Sequence, residues 1–427
     1  MFTVLLIVLS AVVYSWALYN LPVLIVGIRS FRREGAEKKS FGQKAMFEKN
    51  LPTFSVVIPA KNEEYVLPRL LGALLKQNYP RKKVEVIVVE DGSTDATLEV
   101  CEKYVKDFGG RLKIVRGGDS TGKPSALNRA LRISSGDIIA VFDADNVPEQ
   151  DALLNAARHF QDETIAALQG KTLTLNSDVN MLTKFVSYEE AAWCEAYLRG
   201  RDALDLFVHL KGTCQFIRRG VLERVGCWRE EYLSDDFEMS ARLTLKGYRI
   251  RYAPDVRSWQ ESPHSWGQMF RQRVRWFRGT MEVALNYGRL IRKPSFKTLD
   301  AEVTLLAPFV LILSLLSYLV GPIALWGLDG SILLVISAIG WGLLTVSIVA
   351  GAIAMLYIAE PKKTRDLLWI PFIYVYWSFH VFLATWALIR IIFKAPKEWR
   401  KTSRTGVVTT NYSCMRTHSQ ALDESSG

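Results

Sequence analysis

Apolar residues are concentrated at the two ends of this 427-residue chain, and a more polar sequence separates them. The first apolar stretch runs from Thr3 to Ile28, with Asn20 and Pro22 as its main interruptions. A bilayer span needs about 20 apolar residues, whereas the apolar region of a signal peptide is shorter and follows a positive charge. Here the positive charge comes after the stretch. We therefore predict a membrane anchor over residues 1–28 rather than a cleaved signal.

Three further apolar stretches follow the polar middle of the chain. They are Val303–Trp326, Ile332–Ile358 and Leu367–Phe393, and they predict a membrane region over residues 301–393. Pro371 interrupts the last stretch, so a simple span and a re-entrant or interfacial element both stay open.

Between the ends, short apolar runs alternate with segments of helical spacing. The predicted strands are Phe54–Pro59, Val84–Val89, Leu112–Val115 and Ile138–Phe142, and the clearest helices between them are Val66–Gln77 and Pro124–Ile133. This alternation predicts an α/β fold in which a parallel sheet has crossover helices on both faces. Ligands of such sheets bind at the carboxyl ends of the strands. The polar loops that follow these strands would therefore meet in one crevice, within a domain of residues 51–257.

After Ile165 the pattern is less regular. It predicts a strand at Ala166–Leu173, a helical stretch at Asn180–Asp202 and a helix from Asp236 to Lys246. Trp266–Tyr287 mixes aromatic residues with arginines, which indicates an amphipathic helix at the membrane interface within residues 258–300.

The net charge of +11 comes largely from basic residues beside the apolar stretches. They occupy a predicted linker at residues 29–50 and a predicted disordered tail at residues 394–427. Such flanks bind anionic lipid headgroups and mark the cytoplasmic side. We therefore expect an integral protein of the cell membrane with a cytoplasmic middle domain, and no nucleic-acid partner. Three simple spans after that domain would leave the basic tail outside, against the same rule. The five scattered cysteines argue against a disulfide framework or a metal cluster.

Asp143-Ala144-Asp145 directly follows a predicted buried strand. Two carboxylates near one point suit Mg²⁺, which commonly combines one or two carboxylates with substrate phosphates. Two solvated aspartates in a turn are the alternative. Asp91 also ends a strand and could bond a base or a ribose hydroxyl, unless it only caps the next helix.

The segment Gly117–Lys123 fits the G-x-x-x-x-G-K frame of a phosphate-binding loop. That frame continues with a Ser or Thr that binds magnesium, but Pro124 stands there and cannot bind a metal. We interpret Lys123 as a diphosphate contact in another fold, not as part of an ATPase.

Asp235-Asp236 forms a second acidic site at a predicted helix start, where capping is the alternative to catalysis. A hydroxyl that accepts a sugar needs a general base within hydrogen-bond reach when it attacks the anomeric carbon. In Gln272-Arg273-Val274-Arg275-Trp276, the tryptophan could stack on a sugar ring while an arginine stabilises diphosphate charge. An interfacial helix is the alternative explanation, and both can hold together.

Taken in order, these segments resemble family 2 glycosyltransferases. The resemblance rests on Pro59–Glu64, Glu90–Ser93, Gly122-Lys123, Ala126–Asn128, Asp143–Asp145, Asp235-Asp236 and Gln272–Trp276, and it covers roughly residues 50–290. More narrowly, the sequence is similar to the membrane-embedded synthases of cellulose, chitin, hyaluronan and poly-N-acetylglucosamine. Its arrangement of one apolar stretch before the domain and three after it is closer to that of the chitooligosaccharide synthases of nodulating bacteria.

The resemblance implies a GT-A (Rossmann-like) fold, a UDP-sugar donor and inversion at the anomeric carbon. It implies that Asp143 and Asp145 hold Mg²⁺ or Mn²⁺ and that Asp236 is the base, with Asp235 beside it. The implied donor contacts are Ala60, Glu63, Asp91, Lys123 and Asp143, and the implied acceptor and diphosphate contacts are Gly212, Thr213, Gln272, Arg273, Arg275 and Trp276.

Two departures from the family pattern concern the base and the gating loop. The usual Glu-Asp before the base is Asp235-Asp236 here, and the gating-loop motif of cellulose synthases is not recognisable. Extension of a β-linked poly- or oligosaccharide is the first hypothesis. Transfer of one sugar to a lipid, as in ceramide glucosyltransferases, is the second, and an inactive scaffold is the third.

Overall fold

The computed structural model describes residues 2–37, 51–117, 122–287, 294–326, 351–352, 355–358, 364–397 and 404–409. The strands are β1 (Phe54–Ala60), β2 (Val84–Glu90), β3 (Leu112–Arg116), β4 (Ile138–Val141), β5 (Val147–Pro148), β6 (Ile165–Thr174), β7 (Gln215–Arg218) and β8 (Arg249–Gln260). The helices are α1 (Phe2–Glu37), α2 (Leu67–Leu75), α3 (Thr97–Tyr104), α4 (Lys123–Ile133), α5 (Ala152–His159), α6 (Met181–Ala192), α7 (Arg199–Ala203), α8 (Arg219–Val225), α9 (Asp235–Leu245), α10 (Trp266–Tyr287), α11 (Phe296–Leu305), α12 (Ala307–Trp326) and α13 (Ile370–Ile392). A π-helical turn at Trp193–Leu198 joins α6 to α7.

The described strands form one mixed sheet in the order β3-β2-β1-β4-β7-β6-β8-β5. The first four are parallel, as predicted, with Phe54 opposite both Val84 and Ile138. Parallel pairing was predicted only for these four strands, and the pairing of β7 was not predicted. The chain enters β7 at Gln215, opposite the last residue of β4, so β7 must run antiparallel. β8 pairs in parallel with β6 and extends the sheet beyond the predicted domain boundary at residue 257.

Alternate residues of the central strands supply two cores, one on each face of the sheet. On one face Val56 and Ile58 pack with the leucines of α2, and on the other Val57 packs with Leu127 of α4. Successive strand residues point to opposite faces, so a strand buried on both sides is apolar throughout. This is why β1, β2 and β4 could be found from their apolar runs.

Two described helices are long and apolar enough to cross a membrane, namely residues 4–33 of α1 and the whole of α13. The bent pair formed by α11 and residues 307–320 of α12, which meet at 52°, could supply a third span. Pro371 lies in the first turn of α13 and does not interrupt that helix, because proline lacks only an N–H that is unpaired there. Most of the predicted span Ile332–Ile358 lies outside the described residues.

Helix α1 contacts the sheet domain through backbone approach at two glycines. A Cβ atom built on Gly200 would lie 2.0 Å from the carbonyl oxygen of Val23, and one on Gly27 would lie 2.0 Å from that of Ala196. Polar side chains reinforce the contact. Arg201 of α7 donates to Asp300 of α11 at 3.0 Å and to Asn20 of α1 at 3.1 Å. Asn20 is therefore bonded within the apolar anchor, which lowers the free energy of burying it.

We predict that Gly200→Ala lowers the melting temperature of the detergent-solubilised protein by several degrees. The new methyl group would force α1 away from α7, and overpacking of this kind destabilises by about 1–3 kcal/mol. The control is Gly220→Ala in α8, where the nearest atom lies 3.6 Å from the added Cβ. Equal melting temperatures for the two variants would contradict the close packing of α1.

Candidate active site

The loops after β1 and β2 are tied together at the carboxyl edge of the sheet. The backbone N–H of Asp91 donates to the carbonyl oxygen of Ala60 at 2.8 Å. Asn62, with a left-handed φ of 54°, accepts from the N–H of Thr94 at 2.7 Å and donates its own N–H to Ser93 at 3.0 Å. Glu63 donates its N–H to Thr97 at 2.7 Å. These hydrogen bonds thus hold together, at one rigid corner, the residues predicted to contact the nucleotide-sugar donor: Ala60, Glu63 and Asp91.

Asp91 is buried at this corner, and its carboxylate pairs with Arg129 of α4. The N–H of Gly122, the residue just before α4, donates to the other carboxylate oxygen at 3.2 Å. Sequence reasoning missed Arg129, which lies in an ordinary helix six residues after Lys123 and belongs to no motif. Residues 118–121 of the predicted phosphate loop lie outside the described residues.

Lys123 joins three of the predicted site segments. Its ammonium group lies 2.5 Å from Asp143 Oδ1 and donates to the carbonyl oxygen of Gly212 at 2.7 Å. The hydroxyl of Thr213 in turn accepts from the N–H of Asp143 at 2.9 Å. Gly212 has a φ of 78°, and a Cβ there would lie 3.3 Å from both Lys123 Nζ and Asp236 Oδ2. Asp143 and Asp236 therefore meet around Lys123 and Gly212, although 93 positions separate them in the sequence.

Asp235 and Asp236 begin α9, where the helix dipole favours negative charge. Asp236 Oδ1 accepts from the N–H of Phe237 at 2.8 Å. Burial, and next the charge of Asp235, raise the pKa of Asp236 to about 7. Burial also raises the pKa of Asp235, against the opposing effect of Lys123, and within the described part of the chain its Oδ2 atom is buried without a hydrogen-bond partner. Two neighbouring carboxylates in one buried place disfavour each other's ionisation.

Helix α10 carries the Gln272–Trp276 motif past these carboxylates. Arg275 faces Asp236, Asp235 and Asp143, which favour its charged form against burial. Gln272 is buried, whereas Trp276 is 38% exposed. Arg273 turns the other way and binds Glu189 of α6 at 2.8 Å. The two arginines of the motif thus have different partners: Arg275 faces the carboxylates, and Arg273 binds Glu189.

A segment of the predicted disordered tail returns to the site, contrary to the expectation for residues 404–409. Arg404 Nη2 lies 3.1 Å from Asp145 Oδ2. The N–H groups of Thr405 and Gly406 donate to the carboxylate of Glu261 at 2.7 and 3.1 Å. Glu261 is buried just after β8, so its charge is solvated by this segment and not by water. Neither Glu261 nor Arg404 stood in a motif, and no sequence signal linked them.

Asp143 and Asp145 suit a hard divalent cation by the chemistry of their oxygen atoms. Lys123 and Arg404 now lie against these oxygens, which shows that the pair attracts positive charge. Among the described residues no group of three or more His, Cys, Asp or Glu side chains could enclose a metal. A cation held here would therefore need further ligands from a bound phosphate or from water, which is how Mg²⁺ is commonly held.

Comparison with known proteins places this arrangement in a family. Residues 52–279 match the family model described as "Glycosyltransferase like family 2". A "Probable glycosyltransferase YdaM" of Bacillus subtilis is 34% identical over 242 residues, which cover 56% of this chain and 58% of that protein. A "Beta-monoglucosyldiacylglycerol synthase" of a Nostoc species is 34% identical over 271 residues, covering 61% and 57%. A "Poly-beta-1,6-N-acetyl-D-glucosamine synthase" of Staphylococcus aureus is 28% identical over 236 residues, covering 55% and 56%.

The chain spans little more than half the length of these curated relatives. Among solved structures, the mannosyltransferase PcManGT from Pyrobaculum calidifontis superposes with a TM-score of 0.60 and 22% identity, covering 93% of this chain and all of that one. This likeness confirms the predicted α/β fold of GT-A type. Because the family model covers more than half of the sequence, the chain belongs to glycosyltransferase family 2.

Proposed function

We propose that this glycosyltransferase moves a sugar from a UDP-sugar to a lipid hydroxyl at the cytoplasmic face of the cell membrane, with inversion at the anomeric carbon. One observation carries the proposal, namely that the carboxylates of Asp143 and Asp236 converge on Lys123 and Gly212. A donor diphosphate beside Lys123 would bring its anomeric carbon near a carboxylate that can take a proton.

Asp236 is the general base of the proposed reaction. The acceptor oxygen attacks the anomeric carbon and transfers its proton to Asp236. The bond between that carbon and the diphosphate oxygen breaks, and the electron pair leaves with the diphosphate. A pKa of about 7 suits this role, because a base near the working pH is both ionised and basic enough to accept the proton.

Lys123 and Arg275 supply positive charge where the diphosphate becomes more negative. Asp91, with Ala60 and Glu63, would bind the nucleotide, with Arg129 holding the Asp91 carboxylate in place. Asp143 and Asp145 would hold Mg²⁺ or Mn²⁺, which neutralises diphosphate charge when bound. The fold neighbour from Pyrobaculum calidifontis was solved with GDP-Man and Mn²⁺, which agrees with this assignment.

The acceptor side of the site adjoins apolar helices, which favours a lipid acceptor. Helix α10 carries Arg275 beside the carboxylates and packs against α13, a candidate membrane span. Relatives named beta-monoglucosyldiacylglycerol synthase are 33–34% identical, against 28% for the poly-N-acetylglucosamine synthases. Extension of a β-linked glycan is the second candidate, and the exposed Trp276 favours it, since an aromatic ring can stack on a sugar.

We predict that Asp236→Asn lowers kcat by about a hundredfold or more, the size of a lost general base. In the wild type, kcat/KM should rise with pH through about 7, as Asp236 loses its proton. The measurement is release of UDP and of glycosylated product between pH 5 and 9. The control is Asp107→Asn, an exposed aspartate at the opposite edge of the sheet. Full product formation by Asp236→Asn would contradict the assignment.

The raised pKa of Asp236 also predicts an effect on stability. The folded protein keeps a proton on Asp236 up to about pH 7, whereas the unfolded chain releases it near the ordinary aspartate pKa of 3.8. This group therefore lowers stability as pH rises from about 4 to about 7. Asp236→Asn should have a higher melting temperature than the wild type at pH 8 and a similar one at pH 4. The opposite order of melting temperatures would show that the pKa of Asp236 is not raised.

We predict that chelation abolishes transfer and that Mn²⁺ or Mg²⁺ restores it. Asp145→Asn should raise the Mn²⁺ concentration needed for half-maximal UDP binding by about tenfold or more, because a carboxylate ligand is lost. Titration calorimetry with UDP and increasing Mn²⁺ measures this without turnover, with Asp107→Asn as control. UDP binding that is independent of Mn²⁺ in the wild type would overturn the metal assignment.

The acceptor is identified by its product. With UDP-glucose and dioleoylglycerol in detergent micelles, the lipid proposal predicts a single glycosylated lipid by mass spectrometry. A ladder of oligosaccharides from UDP-N-acetylglucosamine would instead support glycan extension. UDP release without either product would contradict both candidates.

A further inference from the structure

A cluster of largely buried polar groups surrounds Arg273 of the Gln272–Trp276 motif, outside the proposed reaction. Its centre is Glu189 of α6, whose side chain is 22% exposed. One carboxylate oxygen accepts from Arg273 Nη2 at 2.8 Å and from the hydroxyl of Tyr376 at 2.6 Å. The other lies 3.8 Å from Nε2 of His380. Glu189 thereby connects α6 and α10 with α13.

Arg273 connects this cluster to the acceptor motif. Its guanidinium carbon lies 4.5 Å from the centre of the Trp276 ring, one turn further along α10. A cation over an aromatic face is attracted by the ring quadrupole, and the contact restricts the ring to one orientation. Trp276 directly follows Arg275, which faces Asp235 and Asp236. Trp276 is 38% exposed, so the orientation of its ring alters the surface that it offers to an acceptor.

The charge state of Glu189 fits such a role. Burial alone would raise its pKa, but Arg273 first, then His380, Tyr376 and Lys211, hold the pKa below its usual value. An ionised carboxylate accepts two hydrogen bonds, so Arg273 is fixed by a charge-assisted bond that leaves it few other positions. A neutral side chain at this place would bind the guanidinium less strongly.

From these contacts we propose that Glu189 is a positioning residue for acceptor binding, an inference that rests on the proposed transfer reaction and on the acceptor contact that the family resemblance implies for Trp276. Glu189 holds Arg273, and Arg273 orients the Trp276 ring. Tyr376, which lies on the candidate membrane span α13, bonds Glu189 and so fixes Glu189 and Arg273 relative to that span. Glu189 touches neither donor nor reacting atoms. It acts through Trp276 on the acceptor alone.

The test compares Glu189→Gln with a matched control on the same helix. Lys184→Gln removes another ion pair of α6, which joins Lys184 to Asp366 at 3.5 Å and involves neither Arg273 nor Trp276. Both variants are assayed with UDP-glucose and dioleoylglycerol in detergent micelles, or with UDP-N-acetylglucosamine and chitobiose if the wild type transfers only to that sugar. The readouts are the two KM values, kcat at saturation, and slow UDP release without acceptor.

We expect Glu189→Gln to raise the KM for the acceptor about tenfold, because the amide oxygen can still accept from Arg273 but a neutral acceptor makes a weaker bond than a charged one. The KM for the donor and UDP release without acceptor should stay within about twofold, and Lys184→Gln should leave all readouts near the wild type. Arg273→Gln should reproduce the acceptor effect, and the double variant should be no worse than either single one, because the two residues act as a unit.

If Glu189→Gln raised the donor KM and the acceptor KM by the same factor and slowed UDP release equally, Glu189 would only stabilise the fold. That result would overturn the proposal. An unchanged acceptor KM would overturn it as well. If Glu189→Gln is too unstable to purify, Arg273→Lys carries the test, since it keeps the charge but loses the planar group and should raise the acceptor KM in part. Failure of the wild type to form either product is a separate outcome that contradicts the proposed function itself.

Discussion

The site depends on holding several carboxylates together in a partly buried place. Asp143 and Asp145 come from the end of β4, and Asp235 and Asp236 come from the start of α9. Their mutual repulsion disfavours ionisation, and cations between the two elements offset it. Lys123 sits at the junction, bound to Asp143 and to the backbone of Gly212, and Arg275 and Arg404 add positive charge around it. The same charges would serve a bound diphosphate.

The sheet domain and the apolar helices share one element, and this sharing relates the site to the candidate membrane span α13. Helix α10 lies against the start of α9 closely enough that a Cβ on Gly279 would lie 2.2 Å from Ser234 Oγ. Its other side packs against α13. A shift of α13 would therefore displace α10 and, through it, the start of α9 with Asp235 and Asp236, since packed interiors transmit displacement. This coupling is the physical reason to consider acceptor and membrane together.

Much of this arrangement could be predicted where the signal is local. The strands β1, β2 and β4 are largely apolar, interrupted near their starts only by Ser55 and Glu85, and the acidic residues at their carboxyl ends follow from the strand direction. The convergence of Asp236 with Asp143 came from family resemblance, because no local rule relates residues so far apart. The antiparallel β7, the Arg129 partner of Asp91, the Glu189–Arg273 pair and the return of residues 404–409 to Glu261 were not predicted. Each is a contact between distant segments, and single charged residues carry no sign of their partners.

In the proposed reaction, residues from both halves of the sheet domain act on one bound nucleotide-sugar donor. The most direct test is an experimentally determined structure of the protein with UDP and Mn²⁺. We expect the diphosphate within hydrogen-bond distance of Lys123, Mn²⁺ bound to Asp143 or Asp145, and the carboxylate of Asp236 open toward the terminal phosphate. UDP bound away from Lys123, or Asp236 turned away from the diphosphate, would contradict it.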